Sequence, residues 1–375
     1  MKAMFVSSTS LSIRNFRVGL MQDLKSRGFD VVFCAQDNGY AEEVVKKEFT
    51  FFSLEVDRKG TNFITDLKLI CLLYRVYRRE RPDIILHYTI KPNIYGSMAA
   101  KMAGIPCINT ITGLGYVFIN DNQLIYYLVK LLYKISCSFA ERILFQNRDD
   151  LELFIEKKLV NQKKAVLVRG SGVNMSFYNP DSGSSVENDE KAFVFLFTGR
   201  ILWDKGIGEF IKAAKSAKEK YPTAQFWLVG IIDLGNPKGI SEAKIRGWER
   251  EGIIIYYGEV KDVRPFILRA DCVVLPSYRE GIPRSLLEAL AMGKPIITTN
   301  AVGCREVIED GVNGFCVPVK DWRALANSFY RMIELSPGTR LKMGNAGREK
   351  VKKEFEESII IDTYVQEIQK VLKGL

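Results

Sequence analysis

The sequence is poor in the residues on which metal and histidine chemistry depend. It contains a single histidine, His87, and seven cysteines that stand apart from one another, with no Cys-x-x-Cys pair. It also lacks an Asp-x-Asp, a His-Glu-x-x-His and any Cys–His cluster. We therefore predict that the protein binds no metal ion, and we exclude any mechanism that needs two histidines. Unpaired cysteines of this kind indicate reduced thiols, which are typical of the cytoplasm.

Two common nucleotide-binding signatures are missing as well. No Gly-x-Gly-x-x-Gly follows the first predicted strand, which argues against a nicotinamide dehydrogenase. No Gly-x4-Gly-Lys-Ser/Thr occurs, so a P-loop enzyme is not expected. The sequence also has no repeat of 20–50 residues. These absences lead us to expect no cofactor.

No apolar run is long enough to predict a transmembrane helix. The most apolar stretch, residues 124–139, is interrupted by Lys130 and Lys134. The first residues, Met-Lys-Ala-Met-Phe-Val-Ser-Ser, indicate a strand and not a secretory signal. We therefore expect a cytoplasmic protein that does not cross a membrane.

Length and composition predict a globular protein of two domains with an anionic partner. At 375 residues the chain is longer than one hydrophobic core usually supports. Hydrophobic residues make up 47% and charged residues 26%, with a mean hydropathy of −0.03. The net charge of +10 favours nucleic acid, an anionic membrane surface or a phosphorylated substrate as the partner.

Two predicted helices combine aromatic and basic residues in a way that suits an anionic bilayer. The helix predicted over residues 62–81 ends in Tyr-Arg-Val-Tyr-Arg-Arg-Glu-Arg. The helix predicted over residues 122–142 carries three lysine or arginine residues, with aromatic residues such as Tyr126 and Tyr133 among them. Alternatively, the apolar side of each helix packs in the core and the charges form a solvated face. Taken together, the two helices favour a peripheral membrane enzyme.

Strand-like apolar runs alternate with helical patterns along the whole chain. In the first half these runs lie at 3–8, 31–36, 51–56, 83–88, 107–112, 142–147 and 165–169. In the second half they lie at 193–198, 225–230, 253–258, 272–276, 295–299 and 315–318, followed by helical patterns at 322–335, 338–354 and 358–373. The polar segment 182–190 between the halves predicts a linker. The alternation predicts an α/β protein of two doubly wound, Rossmann-like domains, each with a parallel sheet.

The most informative segment runs from residue 276 to residue 292. It reads Pro-Ser-Tyr-Arg-Glu-Gly-Ile-Pro-Arg-Ser-Leu-Leu-Glu-Ala-Leu-Ala-Met, in which seven residues separate Glu280 and Glu288. Pro283 suits the first turn of a helix, because its missing N–H costs nothing there. Glu280 is then predicted on the strand-to-helix turn and Glu288 inside the helix, where both can address one ligand. The free N–H groups at such a helix start suit a phosphate or a sugar. Alternatively, the two carboxylates only complement the helix dipole.

This segment resembles the Glu-x7-Glu signature of glycosyltransferase family 4, whose members are retaining enzymes of the GT-B fold. Residues 198–206, Thr-Gly-Arg-Ile-Leu-Trp-Asp-Lys-Gly, are similar to the Gly-Arg-x4-Lys-Gly of that family. Residues 293–299 and 303–314 resemble its closing stretches, and residues 91–96 and 112–116 resemble parts of its first domain. The nearest resemblance is to bacterial enzymes of capsule, O-antigen and lipid-linked glycan assembly. It implies domains at 1–175 and 176–357 that face each other across a cleft, with a last helix at about 358–375 packed on the first domain.

The resemblance implies a donor site in the second domain. Gly199 lets the backbone turn, Arg200 supplies a planar fork for phosphate oxygens, and Lys205 adds a point charge. In the family the matching cations stabilise the departing nucleotide diphosphate, Glu280 lies against the donor sugar, and Glu288 accepts hydrogen bonds from ribose. Glu280, Arg200, Lys205 and His87 are therefore the predicted catalytic residues. The further donor-binding residues implied are Gly230, Gly258, Glu259, Val260, Gly281, Ile282, Pro283 and Arg284.

The first domain departs from the family pattern, which often has Gly-Gly after the first strand. Here that loop contains no glycine, and Ser10, Arg14 and Asn15 are the residues expected to contact acceptor or donor. His87 ends a predicted strand near the position of a family histidine that contacts the sugar, although a plain structural role is an equal alternative. Further acceptor-side residues are expected among the two cleft motifs: Lys91, Asn93, Gly113 and Gly115.

The resemblance therefore implies a retaining glycosyltransferase that uses a UDP-sugar, with N-acetylhexosamine as the expected sugar. The resemblance implies a polyprenyl-diphosphate-linked sugar as the acceptor, at the inner face of the cytoplasmic membrane, and a front-side attack assisted by the departing phosphate. One alternative is a soluble enzyme of the same fold, such as a UDP-sugar epimerase or a synthase with a soluble acceptor. A nucleic-acid-binding protein would explain only the net charge, and we expect no nucleic-acid partner.

Overall fold

The computed structural model describes residues 1–54, 63–114, 123–181 and 192–374. The chain forms two compact units, one of Met1–Ser171 with Glu357–Leu375 and the other of Gly172–Glu356. The division falls at Ser171 and Gly172, where the sequence predicted residue 175. The predicted linker, 182–190, lies outside the described residues.

The first unit is a parallel sheet with helices on both faces. Its strands are β1 Lys2–Val6, β2 Asp30–Ala35, β3 Thr50–Ser53, β4 Ile84–Tyr88, β5 Cys107–Ile111, β6 Arg142–Phe145 and β7 Ala165–Leu167, in the order β3-β2-β1-β4-β5-β6-β7. Its helices are α1 Ser10–Phe16, α2 Val18–Ser26, α3 Ala41–Val45, α4 Phe63–Glu80, α5 Ser97–Ala103, α6 Gln123–Phe139 and α7 Arg148–Glu156. A π-helical turn at Pro92–Gly96 precedes α5, and a 3-10 turn at Gln162–Lys164 precedes β7.

The second unit repeats this architecture. Its parallel strands are β8 Val194–Thr198, β9 Gln225–Val229, β10 Ile255–Gly258, β11 Cys272–Leu275, β12 Ile296–Thr299 and β13 Gly314–Val317, in the order β10-β9-β8-β11-β12-β13. Its helices are α8 Ile207–Lys220, α9 Glu242–Arg250, α10 Arg264–Arg269, α11 Arg284–Ala291, α12 Trp322–Glu334 and α13 Pro337–Glu354. The last helix, α14 Glu357–Lys373, belongs to the first unit. Each strand-like run found in the sequence corresponds to one of these strands, so the predicted α/β class is confirmed.

Burial explains why these segments adopt their structures. In α4 the buried residues Leu69, Leu73, Val76 and Tyr77 follow the helical period and cover one face of the sheet. The inner strands β4, β5, β8, β11 and β12 are buried along their whole length, which is typical of a parallel sheet covered on both faces. The side chain of Thr9 accepts a hydrogen bond from the Ser12 N–H and so caps α1. Within the described residues, no helix is long and apolar enough to span a bilayer.

Each sheet therefore presents the carboxyl ends of its own strands along one of its edges. In open parallel sheets of this kind, ligands bind beyond that edge. The predicted site residues that the structure describes lie in the last residues of β4 and β10 or in the loops and helices that follow β1, β4, β5, β8, β9, β10 and β11.

Candidate active site

Three glycine-containing loops of the second unit pack backbone against backbone at this edge. The Gly199 N–H donates to the Val229 carbonyl at 3.0 Å, and the Gly230 N–H donates to the Gly258 carbonyl at 2.8 Å. A Cβ at Gly230 would lie 1.7 Å from the Gly199 oxygen, and its φ of +150° disfavours other residues. The three predicted donor-site glycines thus lie together, and Gly230 is required by space as well as by conformation.

A short ion pair joins two of the predicted catalytic residues. Lys205, in the 3-10 turn before α8, donates from Nζ to Glu280 Oε1, and both side chains are at most 20% exposed. Gly206, with φ +76°, allows this turn to approach β11, since a Cβ there would lie 2.0 Å from the Pro276 oxygen. The Glu280 N–H donates to the Val302 carbonyl at 3.0 Å. The pair is therefore held from both sides by backbone packing.

Arg200 lies on the same edge and has an acidic partner that the sequence did not indicate. Its Nη1 is 3.4 Å from Asp233 Oδ2, and the Arg200 side chain is 51% exposed. A bridge between Ile201 and Ile232 brings the two loops together. An exposed ion pair of this length contributes about 0–1 kcal/mol. Arg200 can therefore exchange Asp233 for an anionic ligand at little cost.

One carboxylate oxygen of Glu288 accepts hydrogen bonds from neighbouring side chains, and the other is available to a ligand. The Tyr178 hydroxyl donates to its Oε1 at 2.7 Å, and Arg284 Nε donates to the same oxygen at 3.1 Å. No described residue donates to Oε2, and this atom is not among the buried atoms that lack a partner. Burial raises the pKa of Glu288, and the Arg284 charge opposes this shift. The open oxygen can accept a hydrogen bond from a ligand hydroxyl.

Tyr178 is a residue that sequence reasoning missed. It lies shortly after the unit boundary, is 8% exposed and stands 110 positions before Glu288 in the chain. Its carbonyl lies 3.4 Å from Arg348 Nη1, which fixes the segment on α13. Burial, followed by the Glu288 charge, raises the pKa of the Tyr178 hydroxyl, so it remains a hydrogen-bond donor. Only the folded chain reveals this pairing.

The other predicted donor-side residues surround these groups. Ile282 and Pro283 are buried and join the turn to the core, whereas Gly281 lies beside Gly303, where a Cβ would be 2.1 Å from the Gly281 oxygen. Glu259 is exposed and Val260 is half-buried, at the end of β10. In the described ranges, no group of three His, Cys, Asp or Glu side chains is arranged to hold a metal ion.

His87 requires a correction to the sequence-based hypothesis that it contacts the sugar. The side chain is fully buried, with Nδ1 2.9 Å from the Asn109 side-chain oxygen and Nε2 2.9 Å from the Tyr77 hydroxyl. Burial lowers the pKa of His87 to about 4. A Cβ at Gly96 would lie 2.5 Å from the ring. With no exposed surface and both nitrogens occupied, His87 is a neutral core residue and cannot touch a ligand in this arrangement.

The loop after β1 also differs from expectation. Ser10 is buried, and its hydroxyl donates to Asp37 and Asn38, so it ties the loop to the chain after β2 and cannot face an acceptor. Arg14 Nε lies 2.6 Å from Glu43 Oε2. Asn15 is exposed. Of these residues, only Arg14 and Asn15 keep accessible surface for a ligand.

The remaining acceptor-side residues lie near the ends of β4 and β5. Lys91 Nζ donates to Asp66 at 2.6 Å, and this pair is mostly buried. Asn93 is buried and donates to the Thr110 carbonyl at 2.8 Å, so it supports the edge from within and does not face solvent. Gly113 has φ +121°. Gly115 lies outside the described residues.

Two parallel-sheet units, the second with ion pairs of Arg200 and Lys205 at its carboxyl edge, are the architecture of GT-B glycosyltransferases. Residues 5–147 match the family described as Glycosyl transferase 4-like, and residues 181–350 match Glycosyl transferases group 1. The first unit thus matches a glycosyltransferase 4-like domain and the second a group 1 glycosyltransferase domain, and the chain is a glycosyltransferase.

Individual relatives agree with this assignment. The chain is 29% identical to the N,N'-diacetylbacillosaminyl-diphospho-undecaprenol alpha-1,3-N-acetylgalactosaminyltransferase of Campylobacter jejuni, with 100% of both chains covered. It is 26% identical to the UDP-Gal:alpha-D-GlcNAc-diphosphoundecaprenol alpha-1,3-galactosyltransferase of Escherichia coli, over 83% of this chain and 82% of that protein. The crystal structure of Anabaena HepE with UDP-glucose has a TM-score of 0.79 at 18% identity, covering 100% of both chains, which shows a shared fold.

Proposed function

We propose that this glycosyltransferase moves a sugar from a UDP-sugar to a polyprenyl-diphosphate-linked sugar, with retention of the anomeric configuration. The observation that carries the proposal is the pair of Lys205 and Glu280 at the carboxyl edge of the second sheet, beside the exchangeable cation Arg200. A cation pair next to a fixed carboxylate suits a ligand that joins a diphosphate to a neutral sugar.

Each group in this cluster has a distinct role. Arg200 and Lys205 bind the diphosphate and stabilise the negative charge that grows on it as the glycosidic bond breaks. Glu288 Oε2 accepts hydrogen bonds from the ribose hydroxyls, while Tyr178 and Arg284 hold its other oxygen. Glu280 orients the donor sugar. Its Oε1 accepts a hydrogen bond from Lys205, which neutralises much of the carboxylate charge. Glu280 therefore suits a role in positioning the sugar better than a role as nucleophile.

The reaction then proceeds by front-side attack. The acceptor hydroxyl oxygen bonds to the anomeric carbon, and the bond from that carbon to the diphosphate oxygen breaks, with its electron pair leaving on UDP. The hydroxyl proton passes to the departing phosphate oxygen, which acts as the base. Attack and departure on one face keep the anomeric configuration, and the cations Arg200 and Lys205 supply the charge stabilisation.

The proposed acceptor rests on the relatives and on the charge of the chain. The names of both relatives specify acceptors linked to diphosphoundecaprenol or diphospho-undecaprenol. One of these names specifies an N-acetylgalactosaminyl donor group, which supports N-acetylhexosamine as the transferred sugar. We infer that the reaction occurs at the inner face of the cytoplasmic membrane, since the proposed acceptor has a lipid tail and a chain of net charge +10 is attracted to anionic lipids.

One surface of the first unit fits that membrane. We call it the α4–α6 surface, and it consists of exposed apolar residues within the first three turns of the two helices: Ile64, Leu67, Tyr127, Leu128 and Leu131. Both helices begin at the carboxyl edge of the sheet, because each follows a parallel strand. Exposed cations accompany them, with Lys68 and Arg75 on α4 and Lys134 on α6. Apolar side chains beside lysine and arginine suit the interface of an anionic bilayer.

The test is a donor panel with the purified chain. UDP- and GDP-sugars are combined with a polyprenyl-diphosphate-linked N-acetylhexosamine, and NMR of the product reports its anomeric configuration. We expect turnover with a UDP-sugar and a product that retains the donor configuration. An inverted product would contradict the mechanism, and turnover with a soluble acceptor alone would favour the soluble enzyme of the same fold.

The membrane contact has a separate test. We expect the chain to float with vesicles that contain phosphatidylglycerol and to stay unbound with phosphatidylcholine alone. Leu128→Glu with Leu131→Glu should abolish flotation, whereas Leu341→Glu, at an exposed leucine of the second unit, should not. Equal flotation of both variants would show that the α4–α6 surface does not bind the bilayer.

A further inference from the structure

Arg17, between α1 and α2, has a buried guanidinium at the carboxyl edge of the first sheet. The residue is 3% exposed, and its guanidinium carbon lies 4.0 Å from the centre of the Tyr88 ring. Its Nη1 donates to the Tyr364 hydroxyl of α14 at 3.4 Å. Tyr364 in turn lies 3.1 Å from the Thr110 hydroxyl. The cation is thus fixed in place by rings and hydroxyl groups.

No described carboxylate forms an ion pair with this guanidinium. Its Nε is buried without a hydrogen-bond partner, and the buried Ser7 hydroxyl likewise has none. Ser7 lies two residues beyond Phe5, whose ring stacks with Tyr88 at 5.9 Å, so Ser7 and Tyr88 belong to the same face of the sheet. Burying a charge without a counter-charge costs several kcal/mol. A bound anion would supply the missing counter-charge and offset that unfavourable free energy.

Other arginines of the first unit show the contrast. Arg14 is paired with Glu43, Arg27 with Asp23, and Arg142 with Glu367, each at 2.6–2.9 Å. Arg17 is more deeply buried than any of these three, and yet it lacks an acidic partner. The carboxyl edge of a parallel sheet is where such folds bind anionic ligands.

We propose that Arg17, with the Ser7 hydroxyl, binds a phosphate or diphosphate group. The guanidinium offers Nε and Nη2 as adjacent donors, a fork that matches two oxygens of a phosphate. The Ser7 hydroxyl provides a further donor. We further propose that this group is the diphosphate of the lipid-linked acceptor, an assignment that rests on the proposed function.

The first experiment uses inorganic pyrophosphate and does not require activity. The melting temperature of the full chain is measured in saturating UDP, with and without pyrophosphate, for the native chain, Arg17→Met and the control Arg27→Met. Methionine keeps apolar packing on Tyr88 and removes the charge. We expect pyrophosphate to stabilise the native chain and Arg27→Met but not Arg17→Met. Equal stabilisation of a folded Arg17→Met, or none of the native chain, would overturn the proposal.

Calorimetry with Arg17→Lys covers the case in which the methionine variant does not fold. Lysine keeps the charge but loses the fork, so pyrophosphate affinity should fall about 10-fold or more. An unchanged affinity in this variant would also overturn the proposal.

The source of the phosphate is distinguished by two further titrations. Farnesyl diphosphate stands in for the lipid-linked diphosphate, and UDP represents the donor. A loss of about 10- to 100-fold for farnesyl diphosphate in Arg17→Lys, with UDP affinity unchanged, assigns the site to the acceptor. A loss for UDP alone assigns it to the donor. If native UDP binding is absent while the Arg17 effect persists, the proposed function fails and the anion site remains.

Discussion

Removal of the Tyr178 hydroxyl should weaken nucleotide binding without unfolding the protein. Tyr178→Phe keeps the buried ring and deletes only the donor that lies 2.7 Å from Glu288 Oε1. A hydrogen bond to a charged group is worth about 1.5–3 kcal/mol. Arg284 still donates to the same oxygen at 3.1 Å, so part of the support remains. We therefore expect a loss of about 1 kcal/mol, which is roughly 5-fold in the dissociation constant of UDP.

Titration calorimetry with UDP measures this effect, and Glu288 provides the comparison. Glu288→Ala removes the ribose ligand itself and should weaken UDP binding by about 10- to 100-fold. In the Glu288→Ala background, Tyr178→Phe should have no further effect on affinity, because its partner is gone. The donor KM should rise in Tyr178→Phe while kcat changes little, since ribose contacts exist before and during the reaction.

The pH dependence of UDP binding gives an independent readout. The ionised carboxylate of Glu288 is the stronger acceptor, and burial raises its pKa above the ordinary carboxyl range. UDP affinity should therefore fall as the pH falls through that raised pKa. The Tyr178 hydroxyl stabilises the ionised form, so in Tyr178→Phe the fall should begin at a higher pH. For folding the sign is opposite: stability associated with Glu288 is present at low pH and is lost as the pH rises through its raised pKa.

Two results would refute this reasoning. The first is a Tyr178→Phe variant that binds UDP as the native chain does at every pH. The second is an equal loss of affinity on Tyr178→Phe with and without Glu288. Either result would mean that the hydroxyl does not act through the carboxylate.

Four further predictions concern the second unit. Arg200→Ala and Lys205→Ala should each lower kcat roughly 100-fold, about 3 kcal/mol, with little change in melting temperature; native turnover in either variant would contradict their role. Activity should persist in EDTA, because these two cations stabilise the leaving group, and loss reversed by Mg²⁺ or Mn²⁺ would count against this. Glu280→Ala should reduce kcat more than UDP affinity, and calorimetry that shows UDP binding lost would contradict a role at the sugar. Gly230→Ala should destabilise the unit by about 2 kcal/mol or more, since its Cβ would overlap the Gly199 oxygen; Gly247→Ala on α9, with open space around it, is the matched control in denaturant unfolding.

The order of elements in this protein follows from the sequence alone. Apolar runs such as 83–88 and 193–198 are local signals, and alternation with helical patterns leaves a parallel sheet as the only compact arrangement. The sequence also singles out Lys205 and Glu280, because each lies in a motif that follows a predicted strand. These features belong to short segments, whose structure can be predicted from the spacing of apolar residues and from turn residues such as glycine and proline.

Tertiary structure decided the partners and the burial of individual side chains. His87 looks like an edge residue in the sequence, but its ring points between Tyr77 and Asn109, because strand alternation and helix packing set its direction. Tyr178 reaches Glu288 across 110 residues, and no local pattern encodes that contact. Likewise, the sequence does not distinguish Arg14 from Arg17, yet among the described residues only Arg14 forms an ion pair with a carboxylate. Whether a charge is paired depends on which distant side chains share its volume, and only the packed fold determines that.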